Sequence, residues 1–192
     1  MILDVGCGDR PKGNVNLDCV HSQSSDFFES ERKINPKRAP NFVLGDAYHL
    51  PFRNNAFETV LCHHTLEHLE NPVSALKELV RVTSNTLEII VPFRSHEKIQ
   101  NRFMPKRKHW AEKHHKWFFT KKELQRVFRD CGFHPTIKYS WKIVTSLKYF
   151  SRFHMRSFKQ LILYGFLDFL PPTPGELIAT VTKIPKPIIR AK

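Results

Sequence analysis

Residues Ile2–Gly8 read ILDVGCG, a short apolar run that two glycines interrupt. Such a run is typical of a buried strand that ends in a tight turn. Glycine in that turn lets the backbone approach a ligand where a side chain would collide. Val15–Asp18, VNLD, is a second short run with an acidic end. A carboxylate at the end of the next strand can accept hydrogen bonds from ribose hydroxyls, so Gly6, Gly8 and Asp18 together suit a nucleotide-containing ligand.

Working outward, other apolar runs predict further strands, because each is followed by a turn residue or a proline. They are Phe42–Leu44, Thr59–Cys62 and Leu87–Val91. Two segments have helical spacing instead. Pro72–Val82 begins with a proline in its first turn, and a second helix follows Thr120, which forms a capping box with Glu123 and precedes a stop at Gly132.

The C-terminal part predicts two more strands with an insert between them. Thr136–Val144 and Glu176–Thr182 alternate as strands do, Ser146–Leu170 is aromatic, basic and helical in pattern, and residues 171–175 (PPTPG) predict a rigid turn. Strands that alternate with helices and close with a hairpin-like pair predict a three-layer α/β sheet, mostly parallel with an antiparallel last strand. We expect one domain over residues 1–192.

The connection between the first two strands is unusually short. Only residues 6–14 separate them, whereas a parallel crossover usually needs about a dozen or more residues and a helix. We therefore expect a shortened first crossover, with its helix reduced to a turn.

Composition favours a cytoplasmic protein with anionic partners. No stretch approaches the roughly 20 apolar residues of a membrane span, and the N-terminus lacks a secretion signal. The four cysteines lie far apart, as expected of reduced thiols. The 31 Lys and Arg residues outnumber the 18 Asp and Glu residues, and the formal charge of +13 attracts phosphate-rich or other anionic molecules.

Four stretches in order match one known family. They are Ile2–Gly8, Gly45–Phe52 (GDAYHLPF), Phe57–His68 (FETVLCHHTLEH) and Trp117–Phe133. In these motifs the chain resembles the class I S-adenosylmethionine-dependent methyltransferases (EC 2.1.1.-), in particular the type 11 enzymes, over nearly its whole length. It departs from their pattern where Asp9-Arg10-Pro11 replaces the third glycine and where Glu58 replaces an aspartate.

The resemblance implies S-adenosylmethionine as the cofactor and a set of residues that bind it at four strand ends. They are Asp4, Gly6, Cys7 and Gly8 around the methionine part, Asp18 at the ribose, Asp46 and Ala47 at the adenine, and His63 beneath the sulfonium, just past the fourth strand. Without the family pattern, Asp18 and Asp46 are equally explained as turn-forming or helix-capping carboxylates.

Methyl transfer from a sulfonium is a displacement in which the protein mainly aligns donor and acceptor, so no dedicated catalytic residue is obligatory. If the acceptor must lose a proton, His63, His64 or Glu67 is the nearest general base. The alternative is that His64 and His68 only pack or cap the following loop. The tetrapeptide CHHT at 62–65 differs from the motif of enzymes that methylate exocyclic amines of bases, and Cys62 is expected to be a buried thiol rather than a nucleophile.

A basic segment at residues 94–120, followed by further basic residues up to Arg129, leaves the fifth strand beside the expected acceptor site. It interleaves cationic and aromatic side chains, which suits RNA or another polyanion but equally a solvated loop whose aromatics pack on the sheet. Its cationic and aromatic residues include Arg94, Lys98, Arg102, Lys106, Arg107, Lys108, Lys113 and Lys116, with Phe103, Trp110, Trp117 and Phe118.

Three further expectations concern metals, the insert and the overall activity. A zinc site from His109, His114 and His115 is disfavoured because adjacent histidines cannot both chelate from one helical face, and no metal is expected. The aromatic and basic insert at 146–175 can cover the active site, contact a partner chain or lie on a membrane surface. The main hypothesis is methyl transfer to an unidentified acceptor, with RNA or another anionic substrate as one option; the alternative is a non-catalytic nucleic-acid-binding protein that retains the fold.

Overall fold

A computed structural model describes residues 1–8, 10–19, 39–95, 113–141 and 174–183. Within these ranges seven strands form one sheet in the order β3-β2-β1-β4-β5-β7-β6. The strands are β1 (Ile2–Val5), β2 (Val15–Asp18), β3 (Phe42–Leu44), β4 (Phe57–His63), β5 (Thr83–Pro92), β6 (Thr136–Trp141) and β7 (Pro174–Thr182). Strands β1 to β5 pair in parallel, and β7 is antiparallel to both β5 and β6. The predicted α/β sheet with an antiparallel last strand is confirmed.

Helix α1 (Pro72–Val82) follows β4 and has the predicted bounds. The side chain of Asn71 accepts a hydrogen bond of 3.0 Å from the backbone N–H of Ser74, which satisfies one of the free donors at the helix start. Proline at the first helical position has no N–H to leave unpaired. The apolar stripe of the helix, with Leu76 and Leu79 fully buried, packs against the sheet.

Helix α2 (Lys121–Asp130) follows β5 in the described order and ends as its sequence predicts. The hydroxyl of Thr120 accepts from the backbone N–H of Glu123, and the carboxylate of Glu123 accepts from the backbone N–H of Thr120 at 2.7 Å, which completes the capping box. Gly132 has a φ of 81°, the left-handed conformation that ends many helices.

The core lies against one face of the central strands, because the fully buried apolar residues of β1, β4 and β5 alternate along each strand and pair with one another across the strands. Each fully buried aliphatic side chain of this kind contributes about 1.5–3 kcal/mol. The fully buried apolar residues of these three strands are Leu3, Val5, Val60, Cys62, Leu87, Ile89 and Val91.

A buried asparagine, rather than a helix, organises the first crossover. The described residues between β1 and β2 contain no helix, as predicted. The Asn16 side chain is fully buried, accepts from the backbone N–H of Gly13 at 2.9 Å, and donates to the carbonyls of Gly13 and Pro40 at 3.0 and 2.7 Å. A Cβ on Gly13 would lie 2.4 Å from the carbonyl oxygen of Val15, so the turn requires glycine.

Some predicted boundaries were wrong because pairing with neighbouring strands sets them. His63 lies within β4, where it pairs with Ile90, and not past its end. Strand β5 begins at Thr83, directly after α1. Gly175, predicted to lie in a turn, belongs to β7 together with Pro174, and its carbonyl accepts from the N–H of Phe93 at 3.1 Å.

Other predictions fall partly or wholly outside the described residues. Strand β6 was predicted over Thr136–Val144 and ends at Trp141, the last residue described in that part of the chain. The aromatic insert up to residue 173 and most of the basic segment, 96–112, also lie outside them. Within the described ranges, no helix combines the length and the apolar character needed to cross a membrane.

Candidate active site

The carboxyl ends of the parallel strands bring the predicted site residues to one edge of the sheet. The turn after β1, the end of β2 and the loop after β4 meet there, because β1 pairs with both β2 and β4. The loop after β3 joins them, since the N–H of Gly45 donates to the carbonyl of Asp18 at 3.1 Å. Strand β7 runs in the opposite direction, so its first residues lie at this edge too.

The glycine turn after β1 is held by the neighbouring strand. Gly6 and Gly8 have φ values of 74° and 54°, which favour glycine. The N–H of Gly6 donates to the carbonyl of Leu17 at 2.8 Å. A Cβ on Gly6 would lie 2.0 Å from the Thr65 hydroxyl, whereas a Cβ on Gly8 would meet no atom of the described residues within 4 Å. The turn therefore packs against the loop after β4 at Gly6 and has free space beside it at Gly8.

Asp18 closes the other side of this turn. Its Oδ2 accepts a hydrogen bond of 2.8 Å from the backbone N–H of Gly8. Burial raises the pKa of Asp18, and the N–H groups of Gly8 and Cys19 oppose part of that shift. The end of β2 thus presents a carboxylate at the position predicted to bind ribose.

Asp4 is buried beneath the turn and holds the crossover in place. Its Oδ2 accepts from the backbone N–H of Lys12 at 2.9 Å, and the residue is only 2% exposed. Burial raises the pKa of Asp4. Burial also raises the pKa of the neighbouring Cys7 thiol to about 12, so this thiol stays protonated and packs as an apolar group.

His63 bridges two charged residues that the sequence analysis did not single out. The ammonium of Lys12 lies 2.8 Å from His63 Nδ1, and His63 Nε2 lies 2.8 Å from Glu88 Oε1. Because an ammonium can only donate, Nδ1 accepts and the Nε2–H donates to Glu88. Burial and the nearby Lys12 charge lower the pKa of His63, which favours the neutral ring. A charged residue at position 88, inside the apolar run of a central strand, was the signal available in the sequence.

The loop after β3 holds the two residues assigned to adenine. Asp46 Oδ1 accepts from the backbone N–H of Tyr48 at 2.9 Å, so the turn-forming interpretation of this carboxylate is met. Its side chain is 56% exposed and has room for a further partner. Ala47 is buried in the core. The adenine contacts themselves stay a prediction.

His64 lies between two carboxylates in the loop after β4. It has a φ of 53°, its Nε2 lies 2.8 Å from Glu176 Oε1, and its Nδ1 lies 3.6 Å from Glu67 Oε1. Burial opposes the charged ring, but the hydrogen bonds with Glu176 and Glu67 outweigh it and raise the pKa of His64 to about 9. The imidazole is therefore protonated at neutral pH. Glu176 comes from the start of β7, and only the antiparallel pairing brings it here.

The described ends of the basic segment are partly neutralised. Arg94 pairs with Glu123 at 2.6 Å, and Lys116 pairs with Glu70 at 3.0 Å. Trp117 is 41% exposed, and its ring N–H donates to the carbonyl of Leu69 at 2.9 Å. A basic binding surface would therefore depend on the other cationic residues of the segment.

Seven strands in this order, with β7 antiparallel to its neighbours, form a Rossmann-like methyltransferase fold, in which a glycine turn follows β1 and a carboxylate stands at the end of β2. The family comparison agrees, since residues 3–87 match the model described as a methyltransferase domain, of type 11. This match covers somewhat under half of the chain.

Curated relatives resemble the chain over part of its length. An uncharacterised methyltransferase of Schizosaccharomyces pombe is 37% identical over 99 residues, which cover 43% of this chain and 35% of the relative. A demethylmenaquinone methyltransferase of Renibacterium salmoninarum is 34% identical over 101 residues, 50% of this chain and 41% of the relative. The chain thus spans well under two thirds of the length of these relatives.

Solved structures show the same fold at low identity. The crystal structure of a SAM-dependent methyltransferase from Archaeoglobus fulgidus has a TM-score of 0.57 and 15% identity, with 95% of this chain and 85% of that chain covered. Magnesium protoporphyrin IX methyltransferase from Synechocystis, crystallised with bound S-adenosylhomocysteine, has a TM-score of 0.51 and 12% identity, with 96% and 74% covered. At these identities the likeness concerns the fold alone.

Proposed function

We propose that this chain transfers a methyl group from S-adenosylmethionine to an acceptor that reaches the carboxyl edge of the sheet. One observation carries the proposal: the open glycine turn at Gly8 faces the carboxylate of Asp18, with His63 at the adjacent strand end. When bound, S-adenosylmethionine supplies an electrophilic methyl group on a sulfonium. The chain's own residues must hold the two reactants in line.

The cofactor fits the residues present. The free space around Gly8 leaves room for a ligand against the backbone, and the Asp18 carboxylate is fixed by the N–H of Gly8 with lone pairs left for ribose hydroxyls. Asp46 and Ala47 follow the next strand and would hold the adenine. Asp4 and Cys7 would act indirectly, because both are buried and shape the turn from below.

Lys12 would bind the methionine carboxylate of the cofactor. In related dinucleotide-binding folds the N-terminus of the first helix provides positive charge beside the glycine turn. The described part of this crossover has no helix, and the Lys12 ammonium lies next to His63, the residue assigned to the sulfonium side. A charge-assisted contact from Lys12 would replace the missing helix terminus.

Alignment, rather than a dedicated base, would account for the catalysis. Each of the three predicted bases is engaged: both ring nitrogens of His63 are hydrogen-bonded, His64 is an imidazolium between two carboxylates, and Glu67 is 1% exposed. The protein would accelerate the displacement by orienting the acceptor and excluding water. Their roles as general bases stay predictions.

For the acceptor, a small organic molecule is the first candidate. The relatives include demethylmenaquinone methyltransferases and an ajmaline N-methyltransferase, whose names specify small molecules. A polyanion such as RNA is the second candidate, favoured by the formal charge of +13. In the alternative hypothesis, a non-catalytic protein binds nucleic acid but does not bind S-adenosylmethionine.

Calorimetric titration with S-adenosylhomocysteine tests the proposal. We expect one molecule to bind per chain, and Asp18→Ala to weaken binding at least about tenfold, because a hydrogen bond to a charged group contributes about 1.5–3 kcal/mol. Asp130→Ala, an exposed acidic control at the end of α2, should bind as the wild type does. Absence of binding at millimolar ligand would reject the enzyme and leave the nucleic-acid-binding alternative.

A further inference from the structure

Three side chains with metal-binding atoms lie close together beside the carboxyl edge of the sheet. Glu67 and His68 belong to the 3₁₀ turn Leu66–His68 that follows the β4 loop, and His115 comes from the segment that precedes α2. Each residue offers one ligand atom, a carboxylate oxygen or a ring nitrogen, and these three atoms lie within 4.8 Å of one another.

Glu67 provides the first independent sign of a missing partner. Its side chain is 1% exposed; Oε1 faces His64 at 3.6 Å, while Oε2 is buried with no hydrogen-bond partner within the described ranges. Burying an unpartnered oxygen of a charged carboxylate is costly, and native proteins avoid it unless an ion or water supplies the partner.

His68 is oriented as metal-binding histidines usually are. Its Nδ1 lies 3.0 Å from the carbonyl oxygen of His114. Because a carbonyl only accepts, Nδ1 carries the proton, and the lone pair is on Nε2. A ring fixed through one nitrogen by a backbone carbonyl, with the other nitrogen turned to the metal, is the common arrangement around protein-bound metals.

The backbone holds His115 against the same turn. The N–H groups of Lys116 and Trp117 both donate to the carbonyl of Glu67, at 2.8 and 3.1 Å. The rings of His68 and His115 lie 4.8 Å apart in an edge-to-face arrangement, and His115 is 7% exposed. Main-chain hydrogen bonds thus hold the segment that carries His115 beside Glu67 and His68.

We propose that Glu67, His68 and His115 bind a divalent zinc-type cation. Two histidines and one glutamate form a known zinc ligand set, in which the fourth tetrahedral position stays open for water or a substrate atom. Bonds of about 2.0–2.2 Å place tetrahedral ligand atoms about 3.4 Å apart, so ligand atoms that lie up to 4.8 Å apart need to approach by up to about 1.4 Å on binding. The proposal does not depend on the proposed methyl transfer. It differs from the sequence-based expectation of no metal, and it shares only His115 with the disfavoured set of His109, His114 and His115.

The test is a titration of the chelator-treated 192-residue chain with Zn²⁺, followed by Co²⁺ as a spectroscopic probe. We expect one equivalent of Zn²⁺ to bind, and Co²⁺ to give tetrahedral d–d absorption without a thiolate charge-transfer band. His115→Ala and Glu67→Gln should each weaken Zn²⁺ binding at least about tenfold. His134→Ala, an exposed histidine elsewhere, should bind Zn²⁺ as the wild type does.

The proposal is overturned if the wild type binds no stoichiometric Zn²⁺, or if both variants keep wild-type affinity. Should either variant fail to fold by circular dichroism, the Co²⁺ spectrum of the wild type decides: tetrahedral nitrogen and oxygen ligation supports the site, and octahedral or thiolate ligation rejects it. S-adenosylhomocysteine binding measured on the same samples separates loss of this site from failure of the proposed methyl transfer.

Discussion

In the proposed ribose contact the carboxylate of Asp18 accepts hydrogen bonds from two hydroxyls, which favours its ionised form, whereas burial disfavours that form. Because burial raises its pKa, the group takes up a proton at a higher pH than an ordinary aspartate. The affinity for S-adenosylhomocysteine should therefore fall as the pH is lowered through this raised pKa. Calorimetry between about pH 7 and pH 4 would measure the decline.

The matched control is Asp18→Asn, whose amide oxygen can still accept from the Gly8 N–H. This variant should bind the ligand about 10- to 100-fold more weakly at neutral pH, and its affinity should change less with pH. Asp4, Cys7 and Cys19 are present in both proteins, and because the Asp18 charge contributes to their raised pKa values, loss of that charge in the variant lowers the pKa of each. Parallel pH profiles for variant and wild type would contradict the ribose assignment.

Lys12 can be tested with two ligands that differ in one part. Lys12→Met should lower the affinity for S-adenosylhomocysteine about tenfold, because a charge-assisted hydrogen bond to its carboxylate is lost. The affinity for 5′-methylthioadenosine, which lacks the amino-acid part, should not change. Equal losses for both ligands, measured by calorimetry, would show that Lys12 acts only by holding His63.

At the scale of the elements, replacing Gly6 by alanine should destabilise the glycine turn more than replacing Gly8. Gly6→Ala places a Cβ in the left-handed region and against Thr65, which together should cost about 2–4 kcal/mol of unfolding free energy. Gly8→Ala has the same backbone penalty but open space, so about 1–2 kcal/mol is expected. Urea unfolding of both variants measures the difference, and equal costs would show that the Thr65 contact relaxes.

The elements that the sequence predicted best are those whose ends are determined locally. Helix α1 begins at Pro72 and α2 follows the Thr120 capping box because those signals lie within a few residues of the helix start. The end of β4 and the placement of Glu176 depend on strand partners far away in the chain, which no local pattern encodes. The same reason explains why the position of Asp18 at the end of β2 could be predicted from its spacing, whereas the contacts of Lys12 and Glu88 with His63 could not.

At the scale of the whole molecule, the excess of positive charge predicts binding of an anionic ligand. If the polyanion is the acceptor, single-stranded RNA should bind at low salt and lose affinity by orders of magnitude between about 50 and 200 mM salt. A neutral polysaccharide of similar size should not bind at either concentration. Absence of RNA binding at low salt, measured by fluorescence anisotropy, would leave the small-molecule acceptor.

The short crossover between β1 and β2, fastened by Asn16, also bears on how the molecule folds. Parallel strands normally meet only after a long segment has been ordered between them, which makes such pairing slow. Here β1 ends at Val5 and β2 begins at Val15, and a loop of about ten residues closes in roughly 10–100 ns. We expect this pair to form the early folding nucleus, so that the glycine turn after β1 is in place before the distant strands β6 and β7 complete the sheet.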